Sequence, residues 1–399
     1  MNLASASLPE STHYKTTPTT DDPEWAILLA AISVGSPDKK TSRLLSLIAQ
    51  PLRWERLFAL ADHHGIEPLL YQALAPLASE LPHDKFLRLK QGQPIHLHKA
   101  LLLSRELIRI VDHLSAMGIF VLPYKGLALA EMVYGDIALR QSGDIDLLIH
   151  PRDFFRVRDA VTQLGYIPHD HFSQAQQRAQ LKFGYECSFD GAAAPNLLEL
   201  QWAIQPRFYS IDFDMPGLFE RSTPVVVAGQ PMRTLSLEDS LLVLSAHAAK
   251  HVWGRLIWLC DLARIITRPE LNWEWIRSEA AKLGLLRILQ VTLHTANHLL
   301  AAPIPEGATG LSRENVPSWL MQEVDASLRG ETAFNVESLN YFRLMVQLRE
   351  CKMDQFRFLA RLMFTPGPGE WNLVRLPDPL FPLYRLVRLA RLAARLLRS

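Results

Sequence analysis

The chain has 399 residues, 48% of them hydrophobic, and 42 basic residues nearly balance 41 acidic ones for a formal net charge of +1. That composition is typical of a globular protein with two or three domains, and it argues against a strongly basic nucleic-acid-binding protein. Three cysteines without CxxC spacing give no sign of a disulfide framework or a thiolate zinc site, and they indicate a reducing compartment. No signal peptide is visible and no apolar run approaches the roughly 20 residues of a membrane span, so we predict a cytoplasmic protein.

The first hundred residues are predicted to be a tail followed by helices. Residues 1–22 are rich in Ser, Thr, Pro and Asp, and they carry too little apolar surface to order themselves. From Trp25 the apolar spacing becomes helical, with a break near Gly65. A further long helix is predicted over Pro94–Met117, which leads directly into the first core strand.

A strand, a tight turn, a helix and a second strand follow. Ile119–Leu122 is a short apolar run that reads as a strand, Gly126 provides the turn, and Leu127–Tyr134 has helical spacing. The second strand begins at Asp144. Because successive side chains of a strand point to opposite faces, Asp144 and Asp146 share one face. Two adjacent carboxylates are costly unless something positive lies between them, and a divalent cation is the expected occupant.

Several further elements are predicted to complete a small sheet. Arg152–Leu164 has the spacing of an amphipathic helix, and a short strand is predicted at Tyr166. The polar, Gln-rich segment Asp170–Lys182 is predicted to be a mobile surface connection. Gly184–Phe189 and Leu197–Trp202 alternate apolar and polar residues, and we expect them to pair as antiparallel strands.

Helical spacing dominates from Leu235 onward, and Asn340–Arg361 is predicted to be a single helix. The last predicted helix, Leu383–Leu397, places arginines on one side and leucines on the other. Its arginine face is open to two interpretations: contact with anionic lipid, RNA or an acidic partner, or a solvated or salt-bridged surface. The arginines of this face are Arg385, Arg388, Arg391, Arg395 and Arg398.

The unit of strand, glycine turn, helix and Asp-x-Asp strand resembles the DNA-polymerase-beta-like nucleotidyltransferase superfamily. It resembles more closely a bacterial family of uncharacterised nucleotidyltransferases, in which Lys-Gly, Tyr, Arg and Asp-Ile-Asp-Leu-Leu occur in this order. The resemblance covers most of the chain from about Trp54. It is carried by Lys125-Gly126, Tyr134, Arg140, Gly143–Leu148, Leu198–Trp202, His247–Trp253, Arg255-Leu256, Trp258-Leu259, Asp261–Ala263 and a late pattern of Pro366, Trp371, Pro377 and Tyr384.

With that resemblance, the sequence predicts an α+β fold that is mostly helical, with a small mixed nucleotidyltransferase sheet, flanking helices, and helical regions at both ends. The predicted divisions are a disordered tail over 1–22, an N-terminal helical region over 23–100, a nucleotidyltransferase core over 101–205 and a C-terminal helical domain over 206–399. The resemblance implies transfer of a nucleoside monophosphate from an NTP such as ATP, with Mg²⁺ or Mn²⁺ as cofactor and release of pyrophosphate.

Three carboxylates are expected to hold the metal ions. Nucleotidyl transfer uses two cations, one that activates the attacking hydroxyl and one that neutralises the leaving pyrophosphate. Asp144 and Asp146 are suited to bridge both ions. Glu199 is our choice for the third ligand because it lies on a predicted strand whose opposite face is apolar, and Glu186 and Asp190 are its rivals.

The triphosphate is expected to bind at the glycine turn. Lys125 and Gly126 open a helix, where free backbone N–H groups and the positive end of the helix dipole favour phosphate. Arg140 is assigned to the same phosphates, with a structural bridge to Asp136 or Asp144 as the alternative.

Histidine pairs four residues apart form a separate motif. His247 with His251 and His294 with His298 each share a helical face, so a metal site between helices is one interpretation and packing is the other. Lys250, which lies between the first two histidines, is predicted to reach the nucleotide from the helical region.

The sequence does not identify the substrate that accepts the nucleotidyl group. Near-neutral charge favours a small molecule, a peptide or another protein over long nucleic acid. Two alternatives to a transferase are a non-catalytic nucleotide-binding sensor and a helical His-rich metalloprotein. Gln201, which stands where the family usually has His, slightly favours the sensor.

Overall fold

The computed structural model describes residues 22–170, 172–191, 196–312, 316–330, 338–374 and 376–396. The predicted tail therefore lies outside the described residues, except for Asp22, which caps the first helix by accepting a hydrogen bond from the Trp25 N–H at 3.3 Å. The predicted fold class is confirmed, because helices dominate and flank a small mixed sheet.

Helices of the N-terminal part pack before the chain enters the sheet. They are α1 (Pro23–Ile32), α2 (Pro37–Ile48), α3 (Trp54–His63), α4 (Glu67–Leu74) and α5 (His83–Ala116). The predicted start of the long helix at Pro94 was wrong, since α5 begins at His83 and continues through Pro94. Its first turns bury Leu89 in the core, and this packing outweighs the backbone hydrogen bond that a proline removes.

The sheet has the order β1-β2-β5-β4-β3, with β2 and β5 parallel and the other neighbours antiparallel. Apolar side chains on one face, including Ile145, Leu147, Leu198 and Leu200, pack against the helices on that side. The opposite face therefore carries the carboxylates. The elements of this region are β1 (Val121–Pro123), α6 (Gly126–Tyr134), β2 (Asp144–Ile149), α7 (Phe154–Gln163), β3 (Tyr166–Pro168), α8 (Gln174–Phe183), β4 (Glu186–Gly191) and β5 (Leu197–Gln201).

Helix α8 replaces the mobile connection predicted over Asp170–Lys182. Ser173 and Gln176 form a capping box, in which each side chain bonds the backbone N–H of the other. Ala179 is buried in a small apolar cluster with Trp371 and Tyr384 near the end of the chain. The prediction was wrong because this contact joins segments about two hundred residues apart, which local composition does not reveal.

Residues 206–399 are not entirely helical. After α9 (Met215–Glu220), β6 (Thr223–Val227) and β7 (Gln230–Thr234) form an antiparallel hairpin. Ala228 and Gly229 make its turn with φ of 48° and 84°, the left-handed conformation that tight hairpins require. The Val-rich run that precedes Ala228 and Gly229 is typical of a hairpin strand. We did not predict this hairpin, because helical spacing dominates the sequence that follows it.

The remaining helices are α10 (Leu237–Lys250), α11 (Leu256–Ile266), α12 (Trp273–Leu283), α13 (Leu286–Leu300), α14 (Thr309–Ser312), α15 (Ser318–Leu328), α16 (Leu339–Gln347), α17 (Lys352–Phe364), α18 (Pro368–Leu373) and α19 (Tyr384–Leu396). Most of them, as far as α17, share one core with the N-terminal helices α1 to α4, whereas the buried residues of α18 and α19 lie in the small cluster with Ala179. Among the helices of the described ranges, none combines the length and apolar character that a membrane crossing requires.

The single helix predicted over Asn340–Arg361 is two helices, α16 and α17. The chain leaves the helical path between them, and the buried Arg349 side chain donates to the backbone carbonyl of Tyr209 at 2.6 Å. Cys351 then caps α17 by accepting from the Asp354 N–H. The break follows from satisfying a buried guanidinium with distant main-chain oxygens.

A candidate metal-binding site formed by three carboxylates

Two parallel strands bring the predicted metal ligands together. In the register of β2 and β5, Asp146 lies directly opposite Glu199, and Asp144 lies two residues earlier on the same face. One ligand atom from each of the three side chains lies within 4.8 Å of the other two. Oxygen ligands in this arrangement match the preference of Mg²⁺ and Mn²⁺.

The electrostatics of the cluster favour a cation. Burial, followed by repulsion from Asp146, raises the pKa of Asp144 to about 6. Burial, followed by repulsion from Asp146 and Glu186, raises the pKa of Glu199 to about 8. A divalent ion between these oxygens would relieve both repulsions, because it stabilises the ionised forms.

Lys125 and Gly126 approach the carboxylates from the start of α6. The Lys125 ammonium lies 3.0 Å from Asp146 Oδ1. Burial by itself would lower the pKa of Lys125, but attraction to Asp146 and Tyr124 and hydrogen bonds to both together outweigh it and raise the pKa above its usual range. Gly126 has φ of +51°, and an added Cβ would lie 3.5 Å from the Asp144 carbonyl oxygen. The left-handed backbone is the reason that glycine suits this position, where α6 begins beside β2.

Residues 50–301 match the model of the uncharacterised nucleotidyltransferase family. The chain belongs to this family. The matched residues contain the whole sheet, the three carboxylates and helices as far as α13. Comparison with curated proteins and with solved structures found no match. The late pattern from Pro366 to Tyr384, which the sequence associated with the family, lies beyond the matched residues.

Gln201, the residue that departs from the nucleotidyltransferase family's usual His, lies at the centre of the acidic group. Its Nε2 lies 3.0 Å from Glu199 Oε2, 3.1 Å from Glu186 Oε2 and 3.4 Å from Asp146 Oδ1. Its Oε1 accepts a hydrogen bond from the Tyr124 hydroxyl. An amide offers two donors and an acceptor, so one buried side chain orients carboxylates on three strands. We noted Gln201 in the sequence only as a departure, and nothing local indicated this position.

The two rivals of Glu199 lie in different surroundings. Glu186 on β4 faces the cluster and shares the Gln201 amide, although it is not among the three carboxylates whose ligand atoms lie together. Burial raises the pKa of Glu186, against the effect of a hydrogen bond with Tyr185. Asp190 is exposed, and its carboxylate lies 2.8 Å from His169 Nε2. Of the two rivals, Glu186 is therefore the one that contacts the network.

Lys250 reaches the same face of the sheet from the end of α10. Its Nζ donates to the Tyr185 hydroxyl at 3.2 Å. Burial lowers the pKa of Lys250, and attraction to Glu186 opposes that effect. This lysine lies on the β4 side of the carboxylates, whereas Lys125 lies on the β1 side.

The histidine pairs are packed or exposed. His247 and His251 each lie with their ring 5.1 Å from the Trp258 ring. His294 and His298 are exposed on α13, with ring centroids 6.0 Å apart. Within the described part of the chain, the carboxylate group is the only set of three or more His, Cys, Asp or Glu residues that is placed to hold a metal ion.

Arg140 forms a buried ion pair with Asp261, which the sequence did not indicate as its partner. Its Nε lies 3.0 Å from Asp261 Oδ2 on α11, and Tyr134 donates to Asp261 Oδ1 at 2.8 Å. The predicted partners, Asp136 and Asp144, are not its ion-pair partners. Tyr134, Arg140 and Asp261 are all among the residues that carry the family resemblance. They form one buried network that connects α6 to α11.

Proposed function

We propose that the protein catalyses divalent-metal-dependent transfer of a nucleoside monophosphate from an NTP to an acceptor hydroxyl or phosphate. The observation that carries this proposal is the meeting of Asp144, Asp146 and Glu199 on adjacent parallel strands, with ligand atoms within 4.8 Å. Membership of a nucleotidyltransferase family supports it.

In the proposed reaction, an acceptor oxygen forms a bond to the α-phosphorus while the bond to the bridging oxygen breaks and pyrophosphate leaves. Asp144, Asp146 and Glu199 would hold the Mg²⁺ or Mn²⁺ ions. Bound ions supply Lewis acidity at the acceptor hydroxyl and at the leaving pyrophosphate. Glu199 would orient the acceptor hydroxyl or take up its proton, as its position in the group of three carboxylates allows.

The triphosphate would lie against the beginning of α6. Lys125 carries three N–H donors and uses two of them on Asp146 and the Tyr124 hydroxyl, so one remains for a phosphate oxygen. Gly126 leaves the backbone open for close approach. Arg140 already donates to Asp261 and Ser142, so in this proposal its main role is to hold the turn before Asp144. Contact with the triphosphate is its second role.

Lys250 is proposed to contact the nucleotide from the opposite side of the cleft, as its position beside Tyr185 allows. The acceptor is proposed to be a small molecule, a peptide or a protein, because the overall charge offers little attraction to long nucleic acid. The three cysteines are unpaired, which agrees with the proposed cytoplasmic location.

Each labelled NTP, incubated with the purified protein, Mg²⁺ or Mn²⁺ and a cell extract, tests the proposal by transfer of label and release of pyrophosphate. Asp146→Asn should abolish both, whereas Asp190→Asn, the same change at an exposed position of the sheet, should leave them unchanged. Tight metal-dependent NTP binding without product or pyrophosphate would favour the non-catalytic sensor instead.

A further inference from the structure

Two arginines of the last helix are salt-bridged to the body of the protein, which is one of the interpretations that the sequence left open. Arg391 Nη1 lies 2.8 Å from Glu370 Oε1, and Arg388 Nη1 lies 3.3 Å from Glu370 Oε2. Glu370 is buried, as is Tyr384 on the same side of α19. Arg388 and Arg391 are therefore turned toward the protein, where both pair with one buried carboxylate, whereas Arg385 is exposed.

Exposed apolar side chains lie near these arginines. Leu386 on α19 is 62% exposed, and Leu383, which directly precedes α19, is also exposed. Helix α17, which packs against α19, exposes Met353, Phe356 and Phe364. Single exposed apolar residues are ordinary, but their concentration on neighbouring elements marks an interaction surface. With Leu373 of α18, these five residues form what we call the C-terminal apolar surface.

The net charge of residues 352–399 favours an anionic partner. Residues 352–399 contain nine Lys or Arg and three Asp or Glu, a net charge of +6, whereas the whole chain carries +1. Arg357 and Arg385 are exposed among the apolar side chains. A second copy of the chain would bring two such positive segments together, so repulsion disfavours self-association. Apolar side chains interspersed with exposed cations fit an anionic lipid interface.

We infer that the C-terminal apolar surface docks on an anionic phospholipid bilayer. Its apolar side chains enter the interfacial layer, and Arg357 and Arg385 meet the headgroup phosphates. This inference differs from the sequence-based interpretation, in which the arginine face of α19 made the contact. It is independent of the proposed transferase reaction.

Flotation of the full chain with lipid vesicles tests the inference. Wild-type protein should float with vesicles that contain phosphatidylglycerol, and less with pure phosphatidylcholine vesicles or at high salt. The double variant Phe356→Ser, Leu386→Ser should bind at least about tenfold more weakly, since two apolar side chains no longer enter the interface. Both positions are exposed, so its melting temperature should stay close to that of the wild type.

Ile95→Ser is the matched control, because Ile95 is 69% exposed on α5 and Phe356 is 66% exposed. This control should float like the wild type. Failure of the wild type to float with anionic vesicles would overturn the inference, as would equal flotation of the double variant. A concentration-dependent dimer that only the double variant loses, seen by light scattering without flotation, would assign the surface to a second copy and also overturn it.

Discussion

Gln201 Nε2 lies 3.0 Å from Glu199 Oε2, so the Gln201 amide donates a hydrogen bond to the third proposed metal ligand. The same nitrogen is within reach of Glu186 and Asp146. Side chains that bond to metal ligands fix the orientation of those ligands and tune their affinity. Gln201 is therefore expected to act on metal binding without touching the metal.

Gln201→Leu should weaken Mn²⁺ binding about 10- to 100-fold, because Glu199 and Asp146 lose the donor that orients them. Isothermal titration calorimetry measures this affinity. Gln205→Leu is the control, since Gln205 is another buried amide but donates to the Ala246 carbonyl. Both variants should lose about 1–3 kcal/mol of stability, and only the first should lose metal affinity. Equal Mn²⁺ affinities would show that Gln201 is merely structural.

Glu199→Gln and Glu186→Gln should separate the third ligand from its neighbour. The two changes remove the same charge on adjacent strands, but only Glu199 belongs to the group of three close carboxylates. Glu199→Gln is expected to abolish pyrophosphate release and to weaken Mn²⁺ binding. Glu186→Gln should retain metal affinity. The reverse pattern, measured by calorimetry and a pyrophosphate assay, would make Glu186 the ligand.

The pH dependence of stability should reflect the raised pKa values of the cluster. The pKa of Glu199 rises from 4.5 to about 8 on folding. Between these values the folded chain holds a proton that the unfolded chain has lost, so the free energy of unfolding falls as pH rises through this window. Asp144, with a pKa raised from 3.8 to about 6, adds to the acidic part of the trend.

Mg²⁺ should counteract this loss, because a bound cation stabilises the ionised carboxylates. The rise in melting temperature on addition of Mg²⁺ is therefore expected to be larger above the pKa of Glu199 than below that of Asp144. Thermal melts across the pH range, with and without Mg²⁺, measure the effect. Glu199→Gln should flatten the pH trend of the metal-free protein, and an unchanged slope would refute the assignment.

Arg140 and Asp261 form the buried ion pair that connects α6 to α11. Arg140→Met should reduce the free energy of unfolding by about 3–5 kcal/mol, because Asp261 keeps a buried charge without its partner. The double variant Arg140→Met, Asp261→Asn is expected to lose less than the sum of the single changes. Urea denaturation measures these losses, and Arg152→Met, at a largely exposed arginine, should cost almost nothing. Strict additivity would show that the pair does not interact.

Local periodicity was enough to predict several elements that build the site. The alternation from Asp144 to Ile149 predicted β2, and the structure contains a strand with these bounds. Helical spacing over Leu256–Ile266 and Trp273–Leu283 likewise predicted α11 and α12, and the structure contains helices with these bounds. The pairing of two alternating segments placed Glu199 on a strand beside the aspartates. Such patterns succeed because one buried face imposes a regular spacing on neighbouring residues.

The errors arose where distant segments decide local structure. The Asp170–Lys182 segment forms α8 because Ala179 packs with Trp371 and Tyr384. The predicted helix over Asn340–Arg361 breaks because Arg349 bonds to the backbone of Tyr209. Neither partner is visible in a short window of sequence.

The Asp-x-Asp strand, the glycine turn, the mostly helical α+β class and the resemblance to a nucleotidyltransferase family could all be read from the amino-acid sequence alone. Three features became visible only with the packed chain: Gln201 joins Glu186 to the carboxylate cluster, Arg140 pairs with Asp261, and α19 turns Arg388 and Arg391 inward. The difference lies in how far apart in the chain the interacting residues are. Periodicity reports which face of an element is buried, whereas the partner of a buried charge or amide depends on packing between segments far apart in the chain.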